Sequence, residues 1–339
     1  MKIGKINTDK KVFIIAEIGN NHEGNFQLAK KMIIKAAATG VDAVKFQTFI
    51  PEQFISSRDQ LRLNKLKSFQ LSYDQFKELS LIAKKKGLMF FSTPLDIKSA
   101  KFLNTIQPVF KIASGDNNFY PLIETVLSFK KPLIISTGAS GVSDIKKIYK
   151  KISKNYKLKN NFAFLHCVSS YPVPNDEANL ASISYLKKKF SNITIGYSDH
   201  TLGIDAAAFS VIAGARIVEK HFTLDKNYSD FRDHQLSADP NEMSLLVKKI
   251  RKAEIMLGKE EKKICKCENE MNTMGRRSIA VNRDIAKGTI LLKSDFIMLR
   301  PGNGFLPEEE KKVLGKKLKG NIKKYEIIKK EFLSSNKKK

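Results

Sequence analysis

Tryptophan is absent from the 339 residues, cysteine occurs three times, and only nine of the 61 basic residues are arginine. Each scarcity excludes something. Three cysteines, an odd number, argue against a disulfide framework. Cys265-x-Cys267 has no second Cys or His pair beside it, so no zinc site is expected there. Cys167 follows an apolar run and reads as a buried thiol. No apolar run approaches the ~20 residues that span a bilayer. Met1 to Lys11 lacks the apolar stretch of a signal peptide. The expectation is a cytoplasmic globular protein with no membrane partner.

Charge of one sign is in excess. Lys and Arg number 61 against 34 Asp and Glu, a net charge of +27. Such an excess suits nucleic acid or an anionic lipid surface. Groove readers, however, lean on arginine forks, and here the lysines dominate. They are scattered: Lys84 to Lys86, Lys187 to Lys189, Lys311 and Lys312, Lys337 to Lys339. That distribution suits solvated helix surfaces, with a few lysines left to meet a small anionic substrate. No nucleic-acid partner is expected. Hydrophobic residues make up 42%, an ordinary share that excludes global disorder.

Short β-rich runs alternate with longer amphipathic stretches. Strands are expected at Val12 to Ile18, Val41 to Phe46, Leu88 to Phe91, Val109 to Ile112, Pro132 to Ile135, Phe162 to Leu165, Ile193 to Gly196 and Arg216 to Val218. Helices are expected at Phe26 to Ala38, Tyr73 to Lys86, Leu95 to Asn104, Pro121 to Phe129, Val142 to Ile152, Leu180 to Phe190, Gly203 to Ala213 and Asn241 to Leu257. Thr48 to Leu71 reads as a long connection. Eight β–α units in ~260 residues predict an α/β fold, a (β/α)8 TIM barrel. An open doubly wound sheet is the alternative, but no G-x-G-x-x-G follows the first strand. Residues 1–260 form the expected barrel domain and 261–275 a polar linker. Residues 276–335 form a small β-rich domain, with runs at Ser278 to Val281, Thr289 to Leu292 and Phe296 to Arg300. Ser334 to Lys339 reads as a disordered tail.

In such barrels chemistry sits where the strands end. Here the ends are Glu17 to His22, Lys45 to Gln47, Ser92-Thr93, Lys111 to Ser114, Ser136-Thr137, His166-Cys167, Ser198 to His200 and Glu219 to His221. Lys45, Thr93, Lys111, Ser114 and Ser198 suit a phosphate or carboxylate. His200 and His221, on neighbouring strands, suit one divalent metal completed by water or substrate. Glu17 and Glu219 suit proton transfer or the orientation of water. The alternatives are ordinary ones. A mouth lysine pairs with a glutamate or forms a Schiff base. His22 organises its loop, and His166 is a satisfied core histidine. A binding protein that works through its basic surface is a third class, but it has no use for a histidine pair beside carboxylates.

The motifs resemble those of the sialic acid synthase family, whose members join phosphoenolpyruvate to N-acetylmannosamine or a related sugar. They are Ala16-Glu-Ile-Gly-Asn-Asn-His-Glu-Gly24, Val44-Lys-Phe-Gln47, Phe91-Ser-Thr-Pro94, Lys111-Ile-Ala-Ser114, His166-Cys-Val-Ser-Ser-Tyr-Pro172, Gly196-Tyr-Ser-Asp-His-Thr201 and Glu219-Lys-His-Phe-Thr223. Gly275-Arg-Arg-Ser278 and Arg300-Pro-Gly-Asn-Gly304 follow in the small domain. Ile3 to Glu17 also looks like the pseudaminic acid synthase branch. The resemblance implies a barrel active site and a C-terminal SAF or antifreeze-like β-clip. It implies a domain-swapped homodimer in which that clip covers the partner's barrel mouth. It places Mn2+ or Mg2+ on His200 and His221, and phosphoenolpyruvate on Lys45, Thr93, Lys111, Ser114 and Ser198. Glu17 is expected beside the reacting carbons. Gln47, Asp116, Tyr171, Glu219 and Asp233 are expected to face the sugar, with Arg300 arriving from the other subunit.

The sequence departs from the family pattern on the sugar side. Ser169 stands where N-acetylneuraminate synthases commonly carry Asn. Leu95 stands where Phe is common, and Asp116 where Glu is frequent. The loop Tyr228 to Ser237 is unusual. N-acetylmannosamine and the diacetamido-trideoxy precursors of legionaminic or pseudaminic acid therefore remain candidate acceptors.

Overall fold

The computed structural model describes residues 1–154 and 161–334, in two units, Met1–Gly258 and Lys259–Lys339. The tail expected from Ser334 onward lies, past residue 334, outside the described residues.

In the first unit, eight parallel strands form one sheet. They are β1 (Phe13–Gly19), β2 (Ala43–Thr48), β3 (Met89–Pro94), β4 (Phe110–Ile112), β5 (Leu133–Ser136), β6 (Phe162–Cys167), β7 (Thr194–Asp199) and β8 (Ile217–His221). Their order is β3-β2-β1-β8-β7-β6-β5-β4. The last strand lies beside the first, with Ile217 opposite Phe13 and His221 opposite Glu17, as a closed TIM barrel requires. At the junction of β3 and β4 a side chain helps to close the ring. Gln107, just ahead of β4, accepts the Ser92 N–H at 2.7 Å through Oε1.

A helix follows each strand: α1 (Phe26–Ala38), α2 (Tyr73–Lys85), α3 (Ile97–Leu103), α4 (Tyr120–Ser128), α5 (Val142–Ser153), α6 (Ala181–Lys189), α7 (Asp205–Ile212) and α8 (Pro240–Leu257). Their starts have local causes. Asn25, Ser72, Asp96 and Asp239 each accept a first-turn N–H through the side chain, and Ser72 and Asp239 complete capping boxes with Gln75 and Glu242. The core has two layers. Phe13, Ile15, Phe91, Ile134, Leu165 and Ile217 fill the barrel, together with Met1 and Ile3 from a short N-terminal hairpin. Ile14, Ala16, Ile18, Phe46 and Ile112 face outward into the helices.

Two readings need correction. The connection Thr48 to Leu71 contains helices Pro51–Phe54 and Gln60–Phe69, the second capped by Asp59 and anchored by buried Leu63 and Phe69. The strands also run further than their apolar runs. β3, β6, β7 and β8 continue through Pro94, Cys167, Asp199 and His221, because polar residues remain in the ladder there.

The second unit is built around β9 (Ser278–Val281), antiparallel to β10 (Phe296–Leu299). The expected strand at Thr289 to Leu292 is reduced to a single bridge, Ile290 to Lys317. Ile279, Val281, Leu291, Val313 and Ile328 form its core. The segment expected as linker contains a short helix, Asn269–Met274. Among the described residues no helix is long and apolar enough to cross a membrane.

Candidate active site

Strand alternation decides which polar residues enter the barrel. Below the mouth the inward positions are apolar. At the mouth they become Glu17, Lys45, Thr93, Lys111, Ser136, Cys167, Ser198 and Glu219, all lining one cavity of about 510 Å³ together with His200 and His221. Ser114 and Asp116, on the turn after β4, line it too. The outward partners take no part. His166 stacks on Tyr197 and binds the Ala178 carbonyl at 3.0 Å, as a satisfied core histidine does. His22 holds its loop by accepting the Gly24 N–H at 3.1 Å.

Register brings the charges together. Glu17 lies opposite Lys45, Gln47 opposite Thr93, and Glu219 opposite Ser198. Lys45 Nζ sits 2.9 Å from Glu17 Oε2 and 3.6 Å from Glu219 Oε2. It also donates to Thr93 Oγ1 at 3.1 Å. Lys111 Nζ and the Ser198 hydroxyl donate to Glu219 Oε1 at 3.2 and 2.8 Å. All four charged groups are buried.

The two carboxylates differ in character. Burial raises the Glu17 carboxyl well above the usual range, and the single near cation, Lys45, offsets only part of that. Burial would raise Glu219 also, but Lys111, Lys45 and the Ser198 hydroxyl outweigh it and hold it below the usual range. Glu219 is therefore the fixed anion and Glu17 the carboxyl able to exchange a proton. Burial likewise lowers Lys111. It acts against Lys45 too, but there Glu17 and Glu219 prevail and the ammonium is stabilised.

Glycines shape this wall. The β1 ladder shifts register between Glu17 and Gly19, a bulge at which Gly19 takes φ 54°. A Cβ on Gly19 would stand 3.1 Å from Glu17 Oε1. A Cβ on Gly138 would stand 2.2 Å from Ser169 Oγ and 2.7 Å from Ser114 Oγ, the hydroxyl that accepts the Gly138 N–H at 3.0 Å.

The histidines form a pair with ring centroids 5.4 Å apart. His200 Nδ1 meets the Val168 carbonyl at 2.9 Å. A carbonyl only accepts, so that nitrogen carries the proton and Nε2 carries the lone pair. Burial pushes His200 down to about 4 and His221 well below its ordinary value. Both are neutral at pH 7. His221 Nδ1 is buried without a hydrogen-bond partner, 4.0 Å from Asp233 Oδ2. Among the described residues no group of three His, Cys, Asp or Glu side chains forms a metal set. What the chain offers is two neutral imidazoles, one of them unpartnered. That donor set fits a divalent ion finished by water or substrate.

A second chamber of about 590 Å³ shares Gln47, Tyr171 and His221 with the first and adds Asp233. Asn20 Nδ2 donates to Gln47 Oε1 at 2.9 Å, which sets the amide's orientation. Tyr171 lies 4.2 Å from the His200 ring, with the Arg232 guanidinium 4.4 Å over its face. Burial raises Asp233 against the pull of Arg232, and raises Asp116 to about 6. Arg300 is exposed and lies in the second unit, just past β10.

Sequence reading missed Gln53, Phe54 and Arg62, which line the first cavity from the helices of the β2–α2 connection. Ser136 also lines it, with a buried hydroxyl that has no partner. Ser136 was read as a strand end without a role; of the other three only Arg62 carried a signal, as one of nine arginines in a lysine-rich chain.

Comparison with known proteins gives the family. The NeuB family model matches residues 32–262 and the SAF domain model residues 276–334. The N,N'-diacetyllegionaminic acid synthase of Campylobacter jejuni is 37% identical, over 94% of this chain and 99% of that protein. The human N-acetylneuraminate-9-phosphate synthase is 34% identical, over 96% and 94%. The crystal structure of the N-acetylneuraminic acid (sialic acid) synthetase of Leptospira borgpetersenii, in complex with citrate, superposes with a TM-score of 0.75 at 34% identity, covering 80% of this chain and 94% of that one. NeuB-family enzymes generally use a divalent metal. The chain belongs to the NeuB family: it is a phosphoenolpyruvate-condensing nonulosonic acid synthase that carries a SAF domain.

Proposed function

We propose that the enzyme condenses phosphoenolpyruvate with N-acetylmannosamine or a related N-acetylated amino sugar, a diacetamido-trideoxyhexose being the alternative acceptor. The observation that carries this reading is the buried Glu17–Lys45–Glu219–Lys111 quartet beside two neutral histidines at one barrel mouth. Lys45, Thr93, Lys111, Ser114 and Ser198 bind the phosphate and carboxylate, and the unpartnered Ser136 hydroxyl joins them. C3 of phosphoenolpyruvate attacks the aldehyde carbon of the open-chain sugar, and C2 gains positive character. Water adds at C2, and phosphate leaves by C–O cleavage. Glu17 stabilises that cation and positions the water or takes its proton, as a buried carboxyl of raised affinity for protons is suited to do. Glu219 anchors both lysines and keeps Oε2 free of hydrogen bonds for a sugar hydroxyl.

His200 and His221 would hold Mn2+ or Mg2+, which when bound polarises the aldehyde oxygen as a Lewis acid. Gln47, Asp116, Tyr171 and Asp233 orient the sugar from the two adjoining chambers. In a domain-swapped homodimer, Arg300 reaches the mouth of the other subunit. The test is a phosphate-release assay with phosphoenolpyruvate against a panel of N-acetylated amino sugars, with product mass naming the acceptor. Absence of phosphate release with every such sugar would refute the reading.

A further inference from the structure

Two charged side chains at the strand ends lie outside the cavity. Asp199 and Lys220 are fully buried, and they point away from the cavity. They face each other across β7 and β8 as the last paired residues of that ladder. Lys220 Nζ lies 2.9 Å from Asp199 Oδ2 and donates to the Thr201 carbonyl at 2.6 Å. Asp199 Oδ1 accepts the Tyr197 hydroxyl at 3.1 Å, and the Thr201 N–H and hydroxyl at 2.9 Å each. Lys226 and Glu242, themselves paired at 2.6 Å, are the further charges that act on Lys220.

His200 and His221 come one residue after Asp199 and Lys220. They stand beyond the last rung, where no backbone pairing joins β7 to β8. Their own peptides are held from elsewhere. The His200 carbonyl accepts the Val173 N–H at 3.0 Å, and the His221 carbonyl accepts the Ala238 N–H at 2.8 Å. The buried ion pair is thus the last side-chain link between β7 and β8 before the two histidines, on the face opposite the cavity, with the Ser198–Glu219 hydrogen bond one rung earlier on the cavity face. A buried pair is a weak source of net stability, but its geometry is demanding.

We propose that the Asp199–Lys220 pair is a positioning device: it sets the spacing of the His200 and His221 imidazoles and thereby the affinity for a divalent metal. This inference rests on the metal reading of the two histidines. Residues behind metal ligands commonly change metal affinity ~10–100-fold when removed.

The test is calorimetric titration of Mn2+ into the metal-free full chain, beside thermal denaturation. Lys220→Met leaves the Asp199 charge buried and lowers the melting temperature. The double variant Asp199→Asn with Lys220→Met removes both charges and recovers most of that loss, yet still binds Mn2+ at least ~10-fold more weakly than wild type. Lys220→Arg keeps the charge but crowds Thr201, and shows the same weakening with the fold retained. A folded double variant or Lys220→Arg protein with wild-type Mn2+ affinity would overturn the positioning role. Wild-type protein that takes up no Mn2+ would instead overturn the metal reading beneath it.

Discussion

Replacing Glu17 by Gln separates chemistry from folding at this site. Glu17 is the nearest anion to Lys45, at 2.9 Å, in a buried setting. Removing one partner of a buried pair generally costs about 3–5 kcal/mol, because the other charge is stranded. Lys45 is not stranded here. It keeps Glu219 at 3.6 Å and Thr93 at 3.1 Å, and a glutamine oxygen still accepts from it. The loss of one close ion-pair contact, about 1–2 kcal/mol, is therefore the better estimate. The melting temperature falls by a few degrees and the circular dichroism spectrum is unchanged. Turnover falls ~10²–10⁴-fold, the range for a lost acid–base or charge-stabilising group. The quartet of Glu17, Lys45, Glu219 and Lys111 becomes more positive by at most one charge, since the Glu17 carboxyl is raised to about 7, so the KM for anionic phosphoenolpyruvate stays level or drops. Steady-state phosphate release, with each substrate varied in turn, measures both constants. Turnover within about threefold of wild type would refute the role of Glu17, since even weak acid–base assistance exceeds that.

Other outcomes follow from the same geometry. Exhaustive chelation abolishes phosphate release and added Mn2+ restores it; activity that survives chelation removes the histidine–metal reading. Borohydride with pyruvate traps no adduct, because Lys45 is held as an ammonium by two carboxylates and Lys111 is tied to Glu219 at 3.2 Å; a pyruvyl mass on Lys45 or Lys111 would favour a Schiff-base aldolase. His22 is pushed down to about 4 by burial, against an ordinary value near 6.5. Between those values the unfolded chain binds more protons than the folded one, so stability falls as pH drops through that window, by up to on the order of 3 kcal/mol. His22→Asn, which keeps an acceptor for the Gly24 N–H, should make the fall in melting temperature between pH 6.5 and 4 shallower, leaving the share that His200 and His221 contribute; an unchanged slope would show that His22 does not titrate there.

Much of the barrel was legible in local pattern. Helix α1 was read at its observed bounds, and α2 and α8 to within one residue, since apolar spacing carries them through; the caps at Ser72 and Asp239 were seen only in the structure. Strand ends were less legible. The readings stopped at Phe91, Leu165, Gly196 and Val218, where apolar residues stop, whereas the ladders continue into Thr93, Cys167, Ser198 and His221. Those polar residues keep β geometry because the ladder satisfies their backbone and the barrel mouth receives their side chains. Helix Gln60–Phe69 was missed because its surface is largely polar and only Leu63 and Phe69 are buried.

The sequence by itself determined the repeated β–α order, the polar character of every strand end and the family. It could do so because periodicity, caps and motif order are local properties. Tertiary structure alone decided which polar residues meet. Glu219 and Lys220 are neighbours in the chain, yet one holds the mouth lysines and the other is sealed behind the barrel with Asp199. Pleat direction and register made that division. They also gave Glu17 and Glu219 opposite tendencies, since one carboxylate meets a single near cation and the other is gripped by two lysines and a hydroxyl. The scarce arginine was informative in the same way: Arg62 could be counted in the sequence, but only the fold of the β2–α2 connection brings it to the cavity.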